Sequence, residues 1–373
     1  MAVDCEHIPI LNYGEFSKRI HDKVADSRLP IGGSIEITSR CNLFCAHCYI
    51  NLPAGSESEK DRELSYDEIC HILDAIAEEG CLWLLITGGE PLLRGDFLDI
   101  YKYAKEKGFL ITLFTNGTLI TERIADYFRE WPPFSVEVTV YGRTKETYER
   151  VTKVPGSFEK CMRGINLLLE RKIPLKLKAV IMSLNFSEIN DIKKWAEKDL
   201  GLSFRFDPLI NLRLDGLDNP SHVRISSEDV VALDIYDEKR MKAWMEFCEK
   251  FVGPRMKKEK VFLCGAGKNS FHIDSYGYLT PCVLVRSKKF SLRSGSFRDA
   301  YYKWLPEIIN QKPAKNTKCS TCEIMAVCGQ CPGWSELEHG DMETPVEYLC
   351  EIAHLRARKF KEIWDKKIFS EKK

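Results

Sequence analysis

Hydrophobic positions along this chain follow two alternating periods. Ser34 to Thr38 alternates with period two, a short strand running into a loop. Ser65, with Glu68 three residues on, predicts a capping box, and Ile69, Ile72, Leu73 and Ile76 then share one helical face until Gly80 stops the helix. Leu82 to Thr87 is a continuous apolar strand that ends in Gly88, Gly89, Glu90 and Pro91. The alternation continues with a helix near 97–107, a strand at 110–115, a helix near 122–129 and a strand at 136–140. A helix at 158–171, a strand at 175–182, a helix at 189–198 and a strand at 203–207 follow. Six strands thus alternate with five helices over about 175 residues.

Strands separated by helices pair in parallel, so the fold class is α/β. Runs such as 82–86 (LWLLI) and 175–181 (LKLKAVI) are read as apolar on both faces, as strands covered by helices should be. Periodicity leaves an open doubly wound sheet and an incomplete barrel equally open. In either, the site lies on the loops after the carboxyl ends of the strands. Those loops carry Cys41, Cys45 and Cys48, then Gly88 to Pro91, then Asn116 and Gly117, then Tyr141 and Gly142.

The pattern breaks near residue 210. The expected organisation is an extension over 1–33 with a helix-like stretch at 16–25, an α/β unit over 34–210 and a helical linker over 211–255 centred on 229–251. A cysteine-rich domain over 256–350 and a charged terminal helix from 351, whose Lys/Arg-rich end reads as a solvated face, complete it.

Charge and composition narrow the function. The 373 residues carry 55 Lys+Arg against 55 Asp+Glu, which is not the basic footprint of a nucleic-acid binder. No run approaches the roughly 18 apolar residues of a membrane span. The first ten residues lack a basic then apolar signal, so a cytoplasmic location is expected. In a reducing compartment fifteen cysteines point to metal ligation rather than disulfides. Cys5, Cys70, Cys81, Cys161 and Cys248 are isolated and read as small buried hydrophobes.

Cys41, Cys45 and Cys48 form C-x3-C-x2-C within one loop. A 4Fe-4S cube takes four thiolates, so three leave one iron open. Zinc completed by His47 or a remote residue, or a redox pair, is the plainer alternative, but no second cysteine pair lies near this rim to close a zinc knuckle. The C-x3-C-x2-C loop after the first strand, with GGEP after the second, resembles the radical S-adenosylmethionine superfamily. That resemblance implies a partial (β/α)6 barrel. It implies that S-adenosylmethionine chelates the open iron through its amino and carboxylate groups, and that one electron cleaves it to a 5'-deoxyadenosyl radical. By the same resemblance Cys41, Cys45 and Cys48 are the cluster ligands, and His47 takes the place of an aromatic residue near the adenine. Gly88, Gly89 and Glu90 belong to the segment receiving the methionyl amino group, and Asn116 and Thr139 contact ribose or carboxylate. Tyr141, Arg205 and Asp207 are candidate substrate contacts, with Arg205 and Asp207 equally readable as an ion pair.

Farther on, Cys264 and Cys282 precede Cys319, Cys322, Cys328 and Cys331, and Cys350 follows. A zinc ribbon would separate its pairs by about 15 to 20 residues, whereas here they nearly touch, and seven cysteines exceed one zinc. The spacing is similar to the SPASM extension of radical enzymes, which implies two auxiliary clusters and three 4Fe-4S clusters in all. Cys319, Cys322, Cys328 and Cys350 would close one. Cys264, Cys282 and Cys331 would hold the other, its fourth position either filled by a non-cysteine group or open to a substrate thiolate. Members with this extension mostly modify peptides. The sulfatase activators among them carry a basic Asp where this chain has Val283, which argues against that subtype.

The resulting expectation is an enzyme of peptide maturation that installs a C-S or C-C crosslink or rearranges the backbone. A tetrapyrrole or other small-molecule enzyme is the first alternative, and a non-catalytic iron-sulfur electron carrier the one of another class. The expected partners are a leader-bearing peptide, a reductant such as flavodoxin or ferredoxin, and a separate small leader-recognition protein. The last follows because the 33 residues before the first strand cannot hold a complete leader-binding domain.

Overall fold

The computed structural model describes residues 12–50, 52–215, 220–251 and 259–371. Helix α1 (Tyr13–Val24) precedes β1 (Gly32–Thr38), α2 (Tyr66–Glu78), β2 (Trp83–Gly88), α3 (Phe97–Glu106) and β3 (Leu110–Thr115). Then come α4 (Glu122–Glu130), β4 (Ser135–Thr139), α5 (Lys145–Thr152), α6 (Ser157–Glu170), β5 (Leu175–Val180), α7 (Ile189–Lys194) and β6 (Ser203–Asp207). The capping box of α2 forms in both directions, with Glu68 N donating to Ser65 Oγ at 3.2 Å and Ser65 N to Glu68 Oε2 at 2.8 Å. Helix α5 is one more than periodicity predicts, because KETYERVT offers only Tyr148 and Val151 as large apolar buried positions.

The six strands pair in parallel in chain order, forming the partial barrel. Their convex face buries Ile35, Ile37, Leu84, Ile86, Leu113 and Leu177 against the helices. The concave face differs from the expectation. In β5, Leu175, Leu177 and Ala179 are buried while Lys176 and Lys178 alternate with them and stay half-buried, so LKLKAVI is not apolar on both faces. A barrel's inner face borders a lumen and not a second helical layer, so polar residues are tolerated there.

The sheet does not stop at residue 210. Helices α8 (Ser227–Tyr236) and α9 (Glu238–Phe251) replace the single helical stretch, broken where Asp237 turns extended. Strand β7 (Ser270–Ile273) then pairs in parallel with β1, β8 (Tyr278–Thr280) runs antiparallel to β7, and β9 (Phe290–Ser291) closes a nine-stranded sheet. These strands are too short to announce themselves by periodicity. Helix α10 (Pro332–His339) and α11 (Glu347–Glu371) end the chain.

The terminal helix starts before residue 351 and takes Cys350 into its first turn, where Cys350 N donates to Val346 O at 3.0 Å. It is not solvated throughout. Leu349, Ile352 and Phe360 are buried, and Arg356 reaches the fully buried Asp234 at 2.7 Å. At the opposite end of the barrel, α1 closes the floor. The Trp83 indole donates to the Tyr13 hydroxyl at 2.5 Å, and Asn269 Nδ2 to Val24 O at 2.9 Å. Among the described residues no helix is long and apolar enough to cross a membrane.

Candidate functional site

The first cysteine loop leaves β1 at the carboxyl rim. Its base is fixed by a buried bidentate pair, in which Arg40 Nε and Nη2 donate to the two Glu63 oxygens at 2.9 and 3.0 Å. Cys41 and Cys45 are buried and Cys48 half-buried, and the charge of each thiolate would oppose ionisation of its neighbours. Burial, then the nearby Glu90, pushes the Cys41 thiol up to about 12, and burial raises Cys45 too. Around the sulfurs stand donors. Leu43 N lies 3.4 Å and Asn116 Nδ2 3.7 Å from Cys41 Sγ, and the Tyr141 hydroxyl hydrogen-bonds Cys45.

Three converging buried thiols ringed by hydrogen-bond donors fit an iron-sulfur core, whose positive irons take the place of the thiol protons. Among the described residues no group of three or more His, Cys, Asp or Glu is placed to hold one metal ion. A cube spreads its ligands over separate irons and needs no such convergence.

His47 is turned inward beside Tyr141, ring centroids 5.1 Å apart, with a buried Nδ1 that has no partner. Burial lowers its pKa to about 4, so the imidazole is neutral. Tyr141 itself is buried between His47 and Tyr148 and supports the loop, so it is not the substrate contact expected at the rim.

The GGEP segment lies directly against this loop. Gly89 N donates to Thr38 O at 2.8 Å and Glu90 N to Arg40 O at 2.9 Å. A Cβ on Gly88 would stand 2.0 Å from Thr38 O and one on Gly89 2.2 Å from Arg40 O, so glycine is required by the chain leading into Cys41. The Glu90 carboxylate faces inward, fully buried. It accepts from Leu92 N at 3.1 Å, Thr115 Oγ1 at 2.7 Å and Asn116 N at 2.7 Å, tying the ends of β2 and β3 together. Burial outweighs these donors and raises its pKa to about 7. Asn116 bonds Asn42 Oδ1 at 3.0 Å, and Thr139 sits half-buried at the end of β4 beside Lys178.

Inside the barrel is a cavity of about 480 Å³ bordered by Ser34, Thr87, Phe114, Tyr49, His272 and Cys282. Next to the His272 and Val283 lining lies an ion pair. Arg286 Nη2 donates to Glu36 Oε1 at 2.7 Å while its Nε holds the Val283 carbonyl at 2.8 Å. Burial opposes the charge on Glu36, but Arg286 and His272 hold its pKa down at about 2. Arg205, which lies over the ring of the lining residue Phe114, donates through Nη2 to Glu137 Oε2 at 2.5 Å. Arg205 and Asp207 therefore form no ion pair, because Glu137 on β4 takes the guanidinium while Asp207 turns to the backbone beyond its own strand. Asp207 caps Leu209 N at 2.9 Å.

The seven downstream cysteines gather into two groups. Cys282 lies close enough to Cys331 and Cys264 for their charges to oppose its ionisation. Cys328 stands in the same relation to Cys319, Cys350 and Cys322. Backbone N–H groups of Leu284 and Val285 point at Cys282, and those of Gly333 and Trp334, at the start of α10, at Cys331. Cys264, Cys331 and the second group share the edge of a cavity of about 750 Å³. His354 also borders it, Nε2 4.0 Å from Cys322 Sγ. Cys70, Cys81 and Cys161 are buried singly, as small hydrophobes are; Cys5 and the side chain of Cys248 lie outside the described residues.

Several residues escaped sequence reasoning. Glu63, Glu137 and Arg286 carry no local signature, since each acts on a partner far away in the chain. Lys178 had a signal, a charge at every second position of an otherwise apolar strand.

Residues 35–196 match the Radical SAM superfamily, and residues 264–332 match SPASM, an iron-sulfur cluster-binding domain. AdoMet-dependent heme synthase of Methanosarcina barkeri is 26% identical over 325 residues, 82% of this chain and 92% of that protein. The antilisterial bacteriocin subtilosin biosynthesis protein AlbA of Bacillus subtilis is 25% identical over 317 residues, 81% of this chain and 67% of that one. The crystal structure of Streptococcus suis SuiB bound to precursor peptide SuiA superposes with a TM-score of 0.66 at 17% identity, covering 94% of this chain and 84% of SuiB, which shows a shared fold. With both domain matches falling on the two cysteine regions, the chain carries a radical SAM domain followed by a C-terminal SPASM domain.

Proposed function

We propose that this enzyme modifies a peptide inside the barrel, forming a C-S or C-C crosslink or rearranging the backbone. One observation carries the reading. The lumen cavity is bordered on one side by Tyr49, next to Cys48 of the first loop, and on the other by Cys282 of the downstream group. A substrate held there lies between a cluster that starts chemistry and one that can take a thiolate or an electron.

In this reading Cys41, Cys45 and Cys48 hold the first cluster, and Cys264, Cys282 and Cys331 and then Cys319, Cys322, Cys328 and Cys350 hold two more. Bound S-adenosylmethionine and reduced cluster together supply one-electron cleavage of the sulfonium and a hydrogen-abstracting 5'-deoxyadenosyl group. The chain's own residues orient and exclude water. Gly88 and Gly89 bring their backbone close to the Cys41 strand, Glu90 locks the rim, and α1 closes the floor. Asn116, Thr139 and His47 border the place where the nucleoside would lie. AlbA and SuiB, a bacteriocin biosynthesis protein and a protein crystallised with its precursor peptide, support a leader-bearing peptide substrate. A separate recognition protein and a flavodoxin or ferredoxin complete the proposed system.

The test is anaerobic reconstitution with reductant, S-adenosylmethionine and cysteine-bearing precursor peptides. Crosslinking shows as the loss of two hydrogen masses together with 5'-deoxyadenosine release. The second reading, a tetrapyrrole substrate, is favoured by the heme synthase relative, which is matched over nearly its whole length. It would replace the first if iron-coproporphyrin bound tightly, with a shift in its visible absorbance, while peptides remained unchanged.

A further inference from the structure

On the concave face of the sheet, beside Phe114, stands an ammonium with no hydrogen-bond acceptor among the described residues. Lys178 lies directly opposite Arg205 in the parallel register of β5 and β6. Like charges at facing positions are unfavourable unless something of opposite charge lies between them. The Glu137 carboxylate, which attracts the ammonium, already hydrogen-bonds Arg205 at 2.5 Å. The Lys178 ammonium instead rests on the face of Phe114, over which Arg205 also lies, its Cζ 5.6 Å from the ring centroid. No oxygen acceptor hydrogen-bonds Lys178 among the described residues. A ring face leaves the three donors of an ammonium without lone pairs. The side chain is half-buried, and burial lowers its pKa well below the ordinary lysine range, with Glu137 opposing that shift and Arg205 adding to it.

Phe114 itself borders the lumen cavity, so the two cations stand at its edge. The hydroxyl-bearing Thr139 faces Lys178 from β4. Glu36 and Arg286, by contrast, are hydrogen-bonded to each other at 2.7 Å.

We infer that Lys178, with Arg205 beside it, forms a carboxylate-binding subsite on the concave face next to the lumen that seats an acidic side chain or terminal carboxylate of the peptide substrate. This rests on the reading that the lumen receives a peptide. An arriving carboxylate gives the ammonium its missing acceptor and separates it electrically from Arg205, while Phe114 supplies an apolar floor for the adjoining methylenes. The same chemistry could come from the carboxylate of S-adenosylmethionine, and the test separates the two.

The cluster-loaded wild-type protein is pulsed anaerobically with acetic anhydride at neutral pH, and acetylation of Lys178 is followed by peptide mass spectrometry. The probes are N-acetyl-glutamate and, separately, S-adenosylmethionine. At a probe concentration about ten times its Kd, N-acetyl-glutamate should slow labelling of Lys178 about tenfold without altering surface lysines such as Lys102. Arg205→Gln should cut that protection to about twofold or less, because a neighbouring donor to the anion is lost. Protection by S-adenosylmethionine alone would overturn the inference and give the subsite to the cofactor, and protection by neither would overturn it altogether. Failure of the peptide reading looks different: the probe still protects Lys178, but no precursor peptide is modified.

Discussion

The two cysteine regions are built on opposite plans. The first loop is enclosed by protein: Cys41 and Cys45 are buried, Arg40 and Glu63 pin the strand beneath them, and Gly88 and Gly89 press against its backbone. Around the downstream cysteines the chain is open. Cys264 is exposed, five of the others are half-buried at the edge of one large cavity, and short 3-10 turns connect them. Protein packing therefore shapes the first site, whereas the second depends on what it binds for much of its order. The division suits the proposed roles, since a cofactor that must expose one iron to a ligand needs walls made by the protein.

The largest effect should come from changing Cys41, Cys45 and Cys48 together to Ala. Iron per chain after reconstitution should fall from about 12 to about 8, with reductive cleavage of S-adenosylmethionine abolished. Loss of the remaining iron as well would show that the two regions do not assemble independently. Next, chelating the iron should raise amide hydrogen exchange about tenfold or more across 314–332 while strands β1 to β4 stay protected. Equal loosening of both would remove the contrast.

Smaller effects sharpen it. Gly89→Ala places a methyl on the Arg40 carbonyl and should cost about 2–3 kcal/mol in unfolding free energy. Gly329→Ala, between the downstream cysteines, meets nothing within 4 Å and should stay within about 0.5 kcal/mol, both read by urea unfolding.

The smallest difference is in pH dependence. Burial raises the Glu90 pKa to about 7, above its unfolded value, so the folded barrel binds this proton more tightly than the unfolded chain. Its contribution is full below about pH 4.5 and is lost as pH rises through about 7, roughly 2 kcal/mol between pH 5.5 and 7.5. Glu90→Gln should flatten that slope in metal-free protein, measured by urea unfolding at several pH values.

Much of this was legible without coordinates where the signal is local. A capping box, a run of β-branched residues and a three-cysteine loop are each defined within a dozen residues, so Ser65–Glu68, β3 and β6 fall where periodicity predicts them. Helix α5 was missed because its buried face is only two large residues wide. The alternation in β5 was misread because Lys176 and Lys178 were averaged into an apolar run and not given a face of their own.

The sequence alone determined the order of the six barrel strands, the kind of chemistry at the first loop and the supply of thiols for more. Tertiary structure decided the rest. It paired β7 with β1 across more than 200 residues, divided seven thiols into two groups, and gave Glu137 to Arg205 instead of Asp207. It also left Lys178 facing a like charge. Such choices depend on which distant groups share a face once the sheet curls, and no window along the chain contains both partners.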